Sequence, residues 1–300
     1  SNLLQSTETD LLHLGAQNKA ACHPLVETLH RLQGIYPYVQ VDVGQPVGAD
    51  WLSPAVDLIA PDVVVRLAEL ARARVNKGST AVIASTIFQS YQWLPLITAI
   101  GAYLLDRRVL NLRLVNVRMH LASQGVIDRM ALTSSGFAAL PGDPAVGQQD
   151  VHVVDSYSML RDCLRQEIEA HLGAVIDLLC QHLGCRPDVL WLNAADRSAQ
   201  ILLAWMQEQT PAADRAAIQA EIEGLLQFPG SPLNAAAVSL FELACQGQTR
   251  IFLKRATCCY WYKHANGATC ADCPRRTEAD RRQQLLAGMA KALEEAAVPA

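Results

Sequence analysis

A run of 28 residues without a charged side chain, from Gly78 to Leu105, constrains the fold of this chain more than any other feature. Its length would allow a helix to span a bilayer. Polar side chains such as Ser85, Gln89 and Gln92 are spread through the run, and each would need a partner in lipid. We therefore predict a long helix buried in the protein core, with a membrane span as the alternative.

The overall composition is typical of a globular protein with a sizeable core. Of the 300 residues, 51% are hydrophobic and 18% are charged, which excludes global disorder. The net charge of −4 argues against a broad basic surface, so we expect no nucleic-acid partner. The first residues lack a basic start followed by an apolar run, and the nine cysteines are odd in number. We expect a cytoplasmic protein with mostly free thiols.

Hydrophobic periodicity predicts an α+β fold that is mostly helical, with a small central β-sheet and a C-terminal cysteine-rich segment. Helical spacing is found at 22–34, 51–75 with a break at Pro61, 78–105, 157–183, 188–208, 211–228, 232–246 and 277–296. Alternating patterns predict strands at 36–43, 110–114, 126–133 and 151–154. The loop 134–149, rich in Gly and Pro, is the best candidate boundary. The predicted units are an N-terminal helical and strand half at 1–140, a C-terminal helical half at 141–249, and the cysteine-rich segment with a closing helix at 250–300.

Four of the nine cysteines fall within the 16 residues from Cys258 to Cys273, with the spacing C-C-x10-C-x2-C. Thiolates this close repel one another and oxidise readily, so such clustering in a cytosolic protein indicates a metal site. A structural zinc site normally draws its ligands from two separated C-x2–4-C loops. The adjacent pair Cys258 and Cys259 departs from that pattern, because neighbouring side chains point apart in an extended chain. Two iron atoms offer separated coordination positions, so the spacing favours a 2Fe–2S cluster over zinc, with unliganded thiols as a third alternative.

The residues around these cysteines resemble the C-terminal signature of FhuF-like ferric-siderophore reductases. The matching positions are Arg255, Cys258, Cys259, Tyr262, Cys270, Cys273 and Pro274. The resemblance implies that the four cysteines ligate one 2Fe–2S cluster, so that the segment 250–300 binds the cluster and closes the fold. It further implies a cytosolic enzyme that passes one electron to the Fe(III) of a siderophore, of the hydroxamate type, and releases Fe(II).

The implied reaction needs no nucleophile and no acid–base pair. A siderophore holds Fe(III) through hard oxygen ligands and holds the softer Fe(II) more weakly, so one electron opens the chelate. The sequence shows no P-loop, dinucleotide fingerprint or nucleophile elbow. We therefore expect the electron to come from a partner protein such as a ferredoxin or a flavodoxin. A peripheral position at the inner membrane is compatible with the sequence.

Residues 250–276 hold six basic side chains and one acidic side chain, in a chain that is otherwise acidic. Such a run is usually a solvated face, but the contrast with the rest of the chain makes partner or substrate binding an equal alternative. The candidate binding residues are Lys254, Arg255, Lys263, Arg275 and Arg276, with the aromatic residues Trp261 and Tyr262. An acidic donor protein would gain more from these charges than a neutral siderophore would.

Other polar and cysteine residues have a simpler interpretation in the core. Metal binding by Glu167, His171, Cys180, His182 and Cys185 is one alternative, but a solvated Glu and His with core cysteines is favoured. We assign Cys22, Cys163 and Cys245 to the core, and Trp191, Asn193 and Arg197 to packing and capping rather than to a pocket. The alternative function is a non-catalytic siderophore- or partner-binding helical protein with a structural zinc site made of four cysteines.

Overall fold

The computed structural model describes residues 22–210 and 213–297. The α-helices in these residues are α1 (Pro24–Ile35), α2 (Pro54–Asp57), α3 (Pro61–Arg74), α4 (Thr80–Asp106), α5 (Tyr157–Leu183), α6 (Pro187–Gln209), α7 (Arg215–Leu226) and α8 (Glu278–Ala297). The strands are β1 (Val41–Val43), β2 (Trp51–Leu52), β3 (Arg108–Leu110), β4 (Val117–Leu121), β5 (Ile127–Leu132), β6 (Phe137–Ala139), β7 (Val151–Val153), β8 (Leu240–Cys245) and β9 (Gln248–Leu253). The fold is α+β and mostly helical, as predicted.

The strands form three small sheets. The first has the order β1-β5-β4-β2, in which β1 is parallel to β5 and the other neighbours are antiparallel. The second has the order β3-β6-β7, with β6 and β7 parallel. The third is the antiparallel hairpin of β8 and β9, which leads directly into the cysteine-rich segment.

The uncharged run forms α4, and this helix lies in the middle of the helical core. It contacts α1, α3, α5 and α6, which bury it on most sides. Several of its polar side chains are buried as well, and the Thr86 hydroxyl donates to the carbonyl of Val82 at 2.8 Å. In the part of the chain that the structure describes, no helix combines the length and apolar character that a membrane crossing requires.

Helix boundaries follow local signals that the sequence displays. The Ser156 side chain accepts from the amide of Met159 at the start of α5, and Gly184 ends this helix with a φ of 65°. Pro187 occupies the first turn of α6, where its missing N–H costs nothing. The predicted helices at 78–105, 157–183, 188–208 and 277–296 are therefore confirmed to within a few residues.

The predicted helix at 232–246 is wrong. Residues Leu240–Cys245 are strand β8, and they pair with β9 through a two-residue turn at Gln246 and Gly247. Both turn residues have positive φ, 50° and 80°, as a type I′ hairpin turn requires. Cross-strand pairing with β9 overrides the helical spacing of 240–245, since strand propensity depends on neighbours that are distant in sequence.

Smaller corrections also come from tertiary pairing. The predicted helix at 51–75 begins instead with strand β2, because Trp51 and Leu52 pair with β4. The predicted strand at 110–114 ends at Leu110, and Leu114 starts a short 3-10 turn. The loop 134–149 contains β6, and Cys22, assigned to the core, is exposed.

One main hydrophobic core extends from Leu25 to Leu253. A smaller cluster of Leu243, Leu285 and Met289 joins the β8–β9 hairpin to α8. The chain between β9 and α8 therefore has a fixed support at each end.

Candidate metal centre

Residues 254–276, here called the cysteine segment, connect β9 to α8. Their only regular element is a 3-10 turn at Trp261–Lys263. Tyr260, which precedes this turn, has a φ of 59° in the left-handed region. The backbone thus bends directly after Cys258 and Cys259, as the convergence of adjacent cysteines requires.

Asp196 of α6 anchors the start of the cysteine segment. Its carboxylate accepts from the amide of Ala256 at 3.0 and 3.1 Å and from the amide of Thr257 at 3.0 Å. It also lies 3.6 Å from the Nε of Arg255, and both side chains are buried. Burial raises the pKa of Asp196, whereas these donors favour the carboxylate form. The two residues before Cys258 are therefore held against α6.

Arginines hold the turn from Cys270 to Cys273. The amide of Cys273 donates to the carbonyl of Cys270 at 3.2 Å. The Arg276 guanidinium donates to the carbonyls of Cys270 and Thr269 at 2.8 and 2.9 Å. Arg281, buried on α8, donates to the carbonyl of Cys273 at 3.3 Å. These bonds fix the backbone that carries Cys270 and Cys273.

The four thiols lie as two pairs, and each pair takes one member from each end of the motif. The sulfurs of Cys259 and Cys270 are 3.9 Å apart. The Cys258 sulfur accepts from the amide of Tyr260 at 3.4 Å, and burial together with the nearby Cys273 thiol raises the pKa of Cys258. Cys258 and Cys259 thus face the turn from Cys270 to Cys273 across the cysteine segment.

The groups around Cys259 and Cys270 favour a thiolate at Cys259. The hydrogen bond from Cys270 lowers the pKa of Cys259, and Arg255 adds to this effect. The Nη1 of Arg255 lies 3.9 Å from the Cys259 sulfur. Arg255 also lies 3.6 Å from Asp272, so one buried guanidinium joins the thiol to two carboxylates. A thiolate is the form that binds a metal.

The Cys259 and Cys270 sulfurs are spaced as two ligands of one metal. Two ligand sulfurs on one tetrahedral metal lie ~3.8 Å apart when the metal–sulfur bonds are about 2.3 Å. The Cys259–Cys270 distance of 3.9 Å matches one such ligand pair. A zinc ion would need all four sulfurs around one point, whereas two irons need only two pairs.

An open pocket of about 470 Å³ adjoins Cys259 and Cys270. It lies between the cysteine segment, α3, α4, α6 and the start of β5. Cys259 and Cys270 are in its lining, whereas Cys258 and Cys273 are not. The other lining residues include Arg74, Thr86, Gln89, Ser90, Trp93, Arg197, Gln200, Arg255, Trp261, His264 and Asp272.

Sequence reasoning missed most of this lining. Thr86, Gln89, Ser90 and Trp93 recur at helical spacing, so they lie on one face of α4. The helical spacing of these four residues within an uncharged run is the sequence signal that could have identified them as pocket lining. Arg197, assigned to packing, is in the lining, but nothing local in the sequence joins it to the cysteines.

The predicted basic residues separate into two groups. Lys254 and Arg275 are exposed, while Arg255 is buried beside the pocket and Arg276 is held by backbone carbonyls. Lys263 and Arg275 lie over the ring of Tyr262, 5.3 and 4.9 Å from its centroid. Trp261 is 46% exposed at the edge of the pocket.

Four of the five residues considered for a second metal site have other partners. The ring of His171 is buried between the Tyr91 hydroxyl at 3.0 Å and the carbonyl of Leu112 at 2.6 Å. Glu167 accepts from the amide of Leu112 at 2.8 Å. The sulfurs of Cys180 and Cys185 are 2.7 Å apart, and burial raises the pKa of Cys180 to about 12.

This fold and this cysteine arrangement define an iron–sulfur protein with a pocket beside its metal centre. A family described as ferric iron reductase FhuF-like transporter matches residues 85–242, and the FhuF 2Fe–2S C-terminal domain matches residues 255–275. The chain therefore belongs to the FhuF-like ferric iron reductase family, and its cofactor is a 2Fe–2S cluster. No curated protein matches the chain. The membership supports a role like that of a ferric-siderophore reductase.

Proposed function

We propose that this chain is a cytoplasmic ferric-siderophore reductase, in which Cys258, Cys259, Cys270 and Cys273 ligate the 2Fe–2S cluster. The observation that carries the proposal is the open pocket whose lining includes Cys259 and Cys270. A substrate in this pocket would lie directly beside two cluster ligands. Electron transfer depends on such proximity and needs no bond to form between protein and substrate.

The reaction balances with a single electron. A 2Fe–2S cluster held by the four cysteines would supply one electron, and the siderophore iron would change from Fe(III) to Fe(II). Hard oxygen ligands hold Fe(II) more weakly, so the metal can then leave the chelate for a ferrous acceptor. The residues of the chain hold the thiolates, shape the pocket and orient the chelate.

The electron donor that we propose is an acidic protein such as a ferredoxin or a flavodoxin. Lys254 and Arg275 are exposed on the cysteine segment, and neither is in the pocket lining. A carrier that docks through opposite charge would therefore leave the pocket free for the substrate. Reversing both charges (K254E and R275E) should slow re-reduction by the carrier and weaken its salt dependence. Reoxidation by a neutral siderophore should not change, and an equal effect on both half-reactions would contradict this assignment.

The proposed reaction is tested by single-turnover oxidation. Chemically reduced protein is mixed anaerobically with a ferric trihydroxamate and a ferrous chelator, and the cluster absorbance and the chelator colour are followed together. We expect reoxidation of the cluster with one Fe(II) captured per electron released. Reoxidation no faster than in the absence of the siderophore would refute the function.

A further inference from the structure

We propose that Cys180 and Cys185, at the turn between α5 and α6, form a reversible internal disulfide by exchange with a low-molecular-weight disulfide such as glutathione disulfide. The bond joins the last turn of α5 to the chain just before α6. It involves neither the four cysteines of the cysteine segment nor the pocket beside them, so it stands apart from the reductase function proposed above.

The end of α5 brings these two thiols into contact. Gly184 follows the helix in the left-handed region, with a φ of 65°, and its amide donates to the carbonyl of Cys180 at 2.8 Å. A helix that ends in this way commonly places the side chain after the glycine against its last turn. The sulfurs of Cys180 and Cys185 are 2.7 Å apart, so a disulfide bond can form with little movement of either side chain.

Packing alone does not require two thiols at this contact. Both side chains pack against the main core, where any two small apolar residues would serve equally well. The potential metal ligands Glu167 and His171, also on α5, are hydrogen-bonded to the backbone of Leu112 instead. What two thiols in contact add to this turn is the capacity to be oxidised as a pair.

The exchange balances in two steps. The Cys185 thiol attacks glutathione disulfide, which leaves one glutathione on Cys185 and releases the other as a thiol. The Cys180 thiol then attacks the sulfur of Cys185, which forms the internal disulfide and releases the second glutathione thiol. Two protein thiols are thus oxidised, one glutathione disulfide is reduced, and both thiol protons end on glutathione.

The surroundings of the pair set this order of attack. Burial, the hydrogen bond with Cys185 and the charges of Asp177 and Asp188 raise the pKa of Cys180 to about 12, so its thiol is neutral at pH 7. A neutral thiol attacks an external disulfide slowly. Cys185 lies between two exposed residues, so a small molecule can reach it. Cys180 reacts second, because the disulfide that it attacks is then beside it.

The disulfide restrains the turn from which α6 starts. Helix α6 carries Asp196, whose carboxylate holds the amides of Ala256 and Thr257 at the start of the cysteine segment. In the reducing cytoplasm proposed for this chain the two thiols predominate, and the bond forms when the glutathione pool becomes oxidised. The oxidised holoprotein should unfold a few degrees above the reduced holoprotein, because the bond constrains the unfolded chain.

Peptide mass spectrometry tests the modification. The holoprotein is equilibrated with glutathione redox buffers, its free thiols are blocked with N-ethylmaleimide, and it is digested with trypsin in denaturant. Trypsin releases residues 166–197 as one peptide, since it does not cut before Pro187, and the only cysteines of that peptide are Cys180 and Cys185. The peptide should carry two maleimide labels after reduction. After oxidation it should carry none, and its mass should be lower by two hydrogens than that of the unlabelled dithiol.

Three variants locate the chemistry. Cys180→Ser should stop after the first step, with one glutathione on Cys185. Cys185→Ser should take up little or no glutathione, because the remaining thiol is neutral. The matched control is Cys163→Ser, which removes another half-buried cysteine of α5 and should form the internal disulfide as the wild type does.

Two outcomes would overturn the inference. One is that the peptide keeps both maleimide labels after incubation with glutathione disulfide while the cluster absorbance is retained. The other is that both thiols resist maleimide before any oxidation and become reactive on addition of a chelator, because this would identify a bound metal. An unfolding temperature that does not rise when the disulfide is present would contradict its stabilising role.

Discussion

Arg255 is a buried cation beside Cys259, one of the four proposed cluster ligands. Its guanidinium lies 3.9 Å from the Cys259 sulfur and 3.6 Å from both Asp196 and Asp272. Positive charge and hydrogen bonds at a ligand sulfur favour the reduced cluster, which carries one more negative charge.

Arg255→Gln should therefore lower the reduction potential by ~60 mV, a tenfold change for a one-electron couple. A redox titration followed by electron paramagnetic resonance measures it, with iron content as the check that the cluster is retained. Asp272→Asn removes a negative charge from the same site and should raise the potential. Arg250→Gln, at an exposed position on β9, should leave it unchanged. A potential that does not fall in Arg255→Gln would contradict this role.

Individual residues of the site differ in how far the sequence predicts them. The spacing of Cys258, Cys259, Cys270 and Cys273 is local, so it indicates a cluster without any knowledge of the fold. Asp196 lies about sixty positions away, and only the packing of α6 against the cysteine segment brings it to the amides of Ala256 and Thr257. Contacts of this kind have no local signature.

At the scale of elements, a buried histidine links α5 to α4 and to the chain after β3. His171 is hydrogen-bonded to Tyr91 and to the carbonyl of Leu112, so its Nδ1 donates and its Nε2 accepts. Burial lowers the pKa of His171 from 6.5 to about 4. The ring is therefore neutral in the folded protein at pH 7.

This depressed pKa predicts an acid-dependent loss of stability. The unfolded chain protonates His171 near pH 6.5 and the folded protein does so only near pH 4, so stability is complete above 6.5 and falls as the pH decreases between these values. The expected loss between pH 6.5 and pH 5 is about 2 kcal/mol. Urea unfolding followed by circular dichroism measures it. In His171→Gln this part of the pH dependence should disappear. If the stability of this variant falls with pH as steeply as that of the wild type, protonation of His171 is not the cause.

Elements were predictable where their signals are local. The helices α4, α5 and α6 are long, and their periodicity and caps lie within their own residues. Strand β8 falls within the predicted helix at 232–246, because its strand character comes from cross-strand pairing with β9 rather than from its own spacing. The partners of the short strands β2 and β4 likewise follow from tertiary packing alone.

At the scale of the whole molecule, the cysteine segment buries little apolar surface of its own. Only Arg255, His264 and Cys273 are buried within 254–276, while the main core ends at Leu253. Metal binding would then contribute most of the local folding free energy. The change from a buried core to a segment with few buried residues supports the proposed boundary near residue 250.

Removal of the cluster should therefore unfold the segment and spare the helical body. We expect the apoprotein to keep its helical circular dichroism while trypsin cleaves it within 254–276, at sites that the holoprotein protects. Mass spectrometry of the fragments locates the cuts. Loss of the entire helical signal in the apoprotein would contradict a division between body and segment.

The central claim is that four cysteines hold a two-iron cluster, and a metal and sulfide analysis tests it most directly. Purified protein should contain two irons and two acid-labile sulfides per chain, and the reduced form should give an electron paramagnetic resonance signal. Serine at Cys258, Cys259, Cys270 or Cys273 should lose or distort this cluster, whereas Cys245→Ser should retain it. One zinc per chain without sulfide would contradict the account and leave the structural zinc site in its place.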